Sequence, residues 1–220
     1  MATVKEDPRL ISFNALRKTI GWLGILLPVG LLVANLIFDD CHRLQDSISH
    51  YYYTVAGGLF VGTLCAVSMF LIAYRGYPGD KDKILTTLAG IFALGIAFFP
   101  TNDNSSNSCA VLHLPDNEAR RITHYTCATI FFILLALISF FFFTRSKGNK
   151  TKQKEKRNTA YRTCGIIIIT AIALIAAYGI FGKHLHSIDK YHPIFWLEWI
   201  ALLAFGASWL VKGEMFLKDK

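Results

Sequence analysis

The chain has 220 residues, of which 53% are hydrophobic and 17% are charged, with a formal net charge of +8. Soluble domains carry about a quarter charged residues. Here the polar residues fall in a few short clusters between long apolar runs, which excludes an ordinary water-soluble fold.

The first 18 residues are polar and give no cleavable leader pattern, so the apolar run behind them reads as an uncleaved first span. Six runs of 17 to 24 residues are free or nearly free of charge: Thr19–Phe38, Tyr51–Tyr74, Ile84–Pro100, Tyr125–Thr144, Thr163–Gly182 and Pro193–Val211. About 20 residues at ~1.5 Å rise cross a hydrocarbon core of ~30 Å. The pattern predicts an all-α, polytopic, six-helix transmembrane bundle forming one domain over residues 1–220. Pro28 predicts a kink in the first helix, and Gly58-x-x-x-Gly62 predicts close internal packing of the second.

Basic residues orient the bundle. Segments 1–18, 75–83, 145–162 and 212–220 hold 18 Lys and Arg, whereas 39–50, 101–124 and 183–192 hold five. The excess places the first set, and both termini, in the cytoplasm. The segment Arg145–Arg162 is linker-like and contains eight of these charges; it reads as a loop that contacts lipid headgroups. Without aromatic interleaving it is no nucleic-acid reader. Tyr51, Tyr52, Tyr53, Trp196 and Trp199 mark the outer interface.

Cys65, Cys127 and Cys164 lie in apolar runs and read as small buried hydrophobes. Cys41 and Cys109 lie in the first two outer loops, where an oxidising compartment favours a disulfide between them; two unpaired thiols are the alternative.

All seven histidines, His42, His50, His113, His124, His184, His186 and His192, fall on the predicted outer half. His50, Asp103 and His124 sit at helix–loop junctions. His192 precedes Pro193 and is expected to cap the sixth helix. Glu198 is the one ionisable acid or base inside an apolar run. Such a carboxylate costs several kcal/mol unless paired, protonated or hydrated, so it is expected to face the bundle interior. The fold is expected to gather His50, Asp103, His124 and Glu198 in one outer pocket. Glu198 reads as proton carrier, metal ligand or general base, or else as a structural carboxylate. The histidines read as metal ligands, haem ligands, bases or caps. Zinc, bound by three or four N or O ligands, is the metal such a set would suit. Arg120 and Arg121 are placed to bind an anionic headgroup or to pair with Glu198 or Asp103. Tyr51 and Trp199 are further candidates for ligand contact.

The motifs Ser47–Thr54 (SISHYYYT), Phe60–Gly62, Phe98–Thr101 (FFPT), His124-Tyr125 and Phe205–Glu214 (FGASWLVKGE) resemble an uncharacterised bacterial family of six-helix membrane proteins. That resemblance implies a multi-pass protein of the bacterial inner membrane, without an activity. The chain is more distantly similar to the ceramidase and progestin-receptor-like superfamily of membrane hydrolases. There Ser47, His50 and Asp103 would correspond to catalytic and zinc-binding positions. It departs from that pattern in helix number, in the Ser-to-His spacing and in lacking H-x-x-x-H.

Three functions follow as expectations. One is a membrane-embedded, metal-dependent hydrolase of a lipid-like substrate taken from the outer leaflet, with Ser47 and Glu198 in catalysis and His50, Asp103, His124 and His192 around the metal. Another is a transporter, channel or proton-coupled carrier using Glu198. The last is a non-catalytic sensor or assembly subunit binding a periplasmic ligand or partner, with haem on His50 and His124 as a variant. Oligomeric state is not legible in the sequence.

Overall fold

The structure is a computed structural model that describes residues 12–39, 42–75, 82–103, 109–145, 151–181 and 186–218, with the side chains of His186 and Ser187 left aside. The described residues are helical, without strands. Helix α1 spans Phe13–Phe38, α2 Gly57–Ala73, α3 Asp82–Phe98, α4 Glu118–Leu137, α5 Lys152–Phe181 and α6 Pro193–Lys212. Short 3-10 helices cover Ile48–Tyr53 and His186–Tyr191, and a π-helical turn, Ile138–Phe142, extends α4.

Local chemistry sets the helix ends. The Ser12 hydroxyl accepts the Ala15 N–H at 3.1 Å to start α1, and Asn117 accepts the Arg120 N–H at 3.0 Å to start α4. Pro193 opens α6, where its missing N–H costs nothing. His192 before it is left-handed, at φ 49°, and its imidazole Nδ1 meets Asp46 Oδ1 at 2.9 Å. That contact and the Phe195 N–H on the Asp46 carbonyl (3.1 Å) hold the entry to α6 against the 3-10 segment.

Four helical stretches are long and apolar enough to cross a membrane: Phe13–Phe38, Glu118–Phe142, Lys152–Phe181 and Ile188–Lys212. Gly57–Ala73 is apolar but shorter. Large apolar side chains such as Leu36, Met69, Ile91, Ile166 and Ile180 stand exposed on the outside of the bundle. That surface suits lipid and not water.

Each helix packs on its neighbours in the chain, and α6 closes the circle onto α1. Small residues set the closest approaches, as expected where packing and not hydrophobicity drives association. A Cβ on Gly21 would lie 2.8 Å from the Gly206 carbonyl, and one on Gly206 would lie 2.5 Å from the Gly21 carbonyl. Ser68 Oγ donates to the Gly90 carbonyl at 2.7 Å between α2 and α3, and Ser139 Oγ to the Tyr161 carbonyl at 2.8 Å between α4 and α5.

Several sequence boundaries move. Tyr51–Tyr53 belong to the 3-10 helix, and α2 begins only at Gly57. Tyr51 is fully buried, 6.1 Å from the Phe195 ring, instead of lying in an interfacial belt. Gly58 and Gly62 have open space where a Cβ would be, so the internal contact expected of them is absent; Gly21 and Gly206 take that role. Helix α5 starts at Lys152, so most of the basic segment read as a loop is helical.

Candidate functional site

Two serine–histidine pairs form where the 3-10 helix Ile48–Tyr53 meets the end of α3 and the starts of α4 and α6. The sequence Ser47-Ile48-Ser49-His50 turns tightly, so Ser47 and Ser49 face different partners. The Ser47 oxygen accepts the His50 backbone N–H at 3.2 Å and lies 3.1 Å from His50 Nδ1. The Asn102 backbone also acts on that imidazole. Burial pushes His50 below its ordinary value of 6.5, against the opposing pull of Asp46 and Asp103.

His124 forms the second pair. Its Nδ1 lies 2.8 Å from the Phe99 carbonyl, and its Nε2 lies 3.0 Å from Ser49 Oγ. A carbonyl only accepts, so Nδ1 carries the hydrogen and the Nε2 lone pair faces the Ser49 hydroxyl. His124 is buried within the second turn of α4, not at its start.

Glu198 reaches back across the chain. Its Oε2 accepts the Ile48 backbone N–H at 2.6 Å, at the start of the 3-10 helix. The partner is thus a backbone amide and not the Arg120 or Arg121 considered for it. Glu198 and Ser49 are the polar residues lining a cavity of about 40 Å³, otherwise walled by side chains such as Leu27, Phe60, Leu64, Phe131 and Leu202. Space of that order holds a few waters. His124 stands one helical turn before Ala128, another wall residue.

The remaining candidates lie around this centre. Asp103 Oδ2 meets His113 Nδ1 at 2.8 Å, while Asp103 Oδ1 is buried without a hydrogen bond. His192 is held on Asp46, away from His124. Arg120 donates to the Pro115 carbonyl at 3.0 Å and Arg121 to Glu118 at 2.6 Å, so neither takes up Glu198 or Asp103. Trp199 stacks on Trp196 with centroids 5.4 Å apart. Tyr53 donates to the Thr101 carbonyl, and Thr101 Oγ1 to the Tyr125 hydroxyl at 3.2 Å, tying the 3-10 helix to the α3–α4 connection.

His50, Asp103, His124 and His192 thus each engage a different partner. Among the described residues no three His, Cys, Asp or Glu side chains gather to hold a metal ion. With both His124 nitrogens engaged by Phe99 and Ser49, this arrangement does not fit a zinc site. Cys41 and His184 lie outside the described residues, and with Cys41 the pairing expected to Cys109. Ser49 and the Phe99 carbonyl were not singled out in the sequence. The SISH motif offers two serines, and nothing local says which one meets the distant His124.

Comparison with protein-family models, curated proteins and solved structures gives no match. The family resemblance rests on its quoted motifs.

Proposed function

We propose that the chain crosses the bacterial inner membrane six times with both termini in the cytoplasm, and that its outer cavity is the acyl site of a membrane-embedded hydrolase of lipid-like esters or amides. The carrying observation is the Ser49–His124–Phe99 relay, with distances of 3.0 and 2.8 Å, at the polar end of an apolar cavity. The charge split between the two sets of segments supports the orientation, and so does the meeting of Asn14 and Glu214 at 3.3 Å, which puts the start of α1 and the end of α6 at one end.

In this reading Ser49 Oγ attacks the substrate carbonyl while His124 Nε2 takes its proton. The bond to the leaving alcohol or amine breaks, and His124 gives that group the proton. Water then attacks the acyl-serine, its proton passing to His124, and Ser49 is released with the acid. The Phe99 carbonyl holds the imidazole in the needed tautomer, as a carboxylate does in other serine hydrolases. Glu198 is a positioning residue that holds Ile48, and with it Ser49, through one backbone hydrogen bond. The apolar wall receives an acyl chain, and the substrate comes from the outer leaflet.

The test is covalent labelling by a long-chain fluorophosphonate in detergent, followed by peptide mapping. The adduct is expected on Ser49, absent in S49A and strongly reduced in H124A, with S47A still labelled. No adduct on Ser49, or full labelling in H124A, overturns the reading.

One observation favours a second reading. Glu198 lines the cavity within a membrane-spanning helix, as the titrating group of a proton-coupled carrier would. Proteoliposome flux abolished by E198Q, with no labelling of Ser49, would support that reading.

A further inference from the structure

Glu198 is the one ionisable side chain of the apolar run Pro193–Val211. Its Oε2 accepts the Ile48 N–H at 2.6 Å. Among the described residues it has no other hydrogen bond and no ion pair. Oε1 therefore takes no donor from the protein. It is nevertheless not one of the buried polar atoms without a partner, which include both amide atoms of Asn35 and Asp103 Oδ1, so it keeps open space beside it. The space that Glu198 lines is the cavity of about 40 Å³.

The rest of the wall decides what kind of group fits there. Among the described residues no Lys or Arg lines the cavity. Ser49 is the other polar group, and three of the walls are the rings of Phe60, Phe131 and Phe132. A carboxylate taken out of water is costly unless donors or a countercharge complete it. One backbone amide serves one oxygen and leaves the negative charge uncompensated. Ring faces attract cations, and a carboxylate attracts them more strongly when its donor is charged. A neutral alkyl group would fill the apolar wall and leave Oε1 bare, and an anion would be repelled. Room for a few waters is also room for the about three or four non-hydrogen atoms of a small amine head. Because Glu198 holds Ile48, the neighbour of Ser49, a group on Oε1 stands close to that hydroxyl.

We propose that the cavity binds a primary ammonium group, with Glu198 Oε1 accepting its N–H and the rings of Phe60, Phe131 and Phe132 receiving the carbon atoms beside it. The two oxygens of Glu198 then have separate duties: Oε2 holds the 3-10 helix, and Oε1 takes the ligand. In the hydrolase reading, on which this further step rests, the acyl group carries the amine within a few atoms of the carbonyl that Ser49 attacks, as in an aminoacyl ester.

The test uses the full chain in detergent and two probes of one shape, n-propylammonium and n-propanol. Each is titrated at neutral pH and constant ionic strength while thermal unfolding is followed. Propylammonium is expected to raise Tm saturably, and propanol at the same concentrations to give no such rise. E198Q keeps an acceptor for the Ile48 N–H but loses the charge, and is expected to weaken propylammonium binding about tenfold or more. F131L is expected to weaken it about twofold to tenfold. R121Q, at the exposed pair with Glu118, is expected to change it less than about twofold. Should E198Q not fold, the contrast between the two probes and F131L carry the test. Equal effects of the two probes, or equal affinity in E198Q and the unaltered chain, overturn the proposal. Neither probe has an acyl bond, so fluorophosphonate labelling of Ser49 reports on hydrolysis separately. Labelling without an ammonium effect overturns this proposal alone, and an ammonium effect without labelling upholds the cavity site and removes the aminoacyl step.

Discussion

The two ends of the bundle solve the problem of polar groups beside a membrane in opposite ways. At the end that carries the 3-10 helix Ile48–Tyr53 the groups are histidines, serines and three carboxylates, used largely in pairs. Ser47 meets His50, Ser49 meets His124, Asp46 meets His192, Asp103 meets His113, and Glu198 meets the Ile48 amide. At the other end cations crowd over aromatic rings, and their charges act on one another. Paired neutral groups can move a proton without moving net charge, which suits acid–base chemistry. Cations held over aromatic rings keep a net charge that no such exchange removes. The difference is one of polarity sign and pairing, not of burial, since both ends hide polar atoms.

The largest effect should come from breaking the Ser49–His124 pair. H124A is expected to lower fluorophosphonate labelling of Ser49 by about 10²–10⁴-fold, the usual share of a general base. S47A, which touches only the neighbouring pair, should leave labelling within a few-fold. Near-equal losses in the two variants would mean that the outer end acts as one network and not as separate pairs.

The seam joining the ends comes next. G206L is expected to destabilise the protein by about 1–3 kcal/mol, because a side chain there runs into the Gly21 carbonyl. Thermal unfolding in detergent measures this, and G58L, facing open space, is the comparison expected to cost much less. E198L leaves the Ile48 N–H without its carboxylate and should cost about 1–3 kcal/mol. E198Q keeps an acceptor there and should cost less, which chemical unfolding of the two variants would resolve.

The smallest effect is a pH dependence. Burial lowers His50 below 6.5, so the unfolded chain binds its proton first. The contribution of neutral His50 is complete above pH 6.5 and is lost as the pH falls below that value towards the lowered one of the fold. Tm should therefore drop on acidification from neutrality, and H50Q should flatten that slope. An unchanged slope would show that His50 is not the group responsible.

Much of this architecture is legible in single residues. Residues 163–181 of the fifth apolar run lie within α5, and Pro193 starts α6 where its ring is tolerated. Glu198 stands out because one acid in an apolar run must find a partner, and it does. The boundaries at Tyr51 and Lys152 were less legible. Three tyrosines in a row fit a helix start and a 3-10 turn equally well, and a basic segment carries no apolar stripe to betray its helix. Ser49 was passed over because its partner, His124, lies 75 positions away in the sequence.

The sequence by itself determined that the chain is helical and apolar enough for a membrane, that its basic residues divide unequally between alternate connections, and that its histidines all fall within residues 39–50, 101–124 and 183–192. These are properties of length, composition and order, and each run carries them without reference to any other. Only the tertiary structure decided that Glu198 holds the Ile48 amide, that His124 meets Ser49 and not Ser47, and that Arg17, Lys154 and Lys212 lie over aromatic rings. Those contacts join residues up to 150 positions apart in the sequence, as with Ile48 and Glu198. They depend on where helix ends come to rest once small residues such as Gly21 and Gly206 have let the helices close, and no local pattern encodes that.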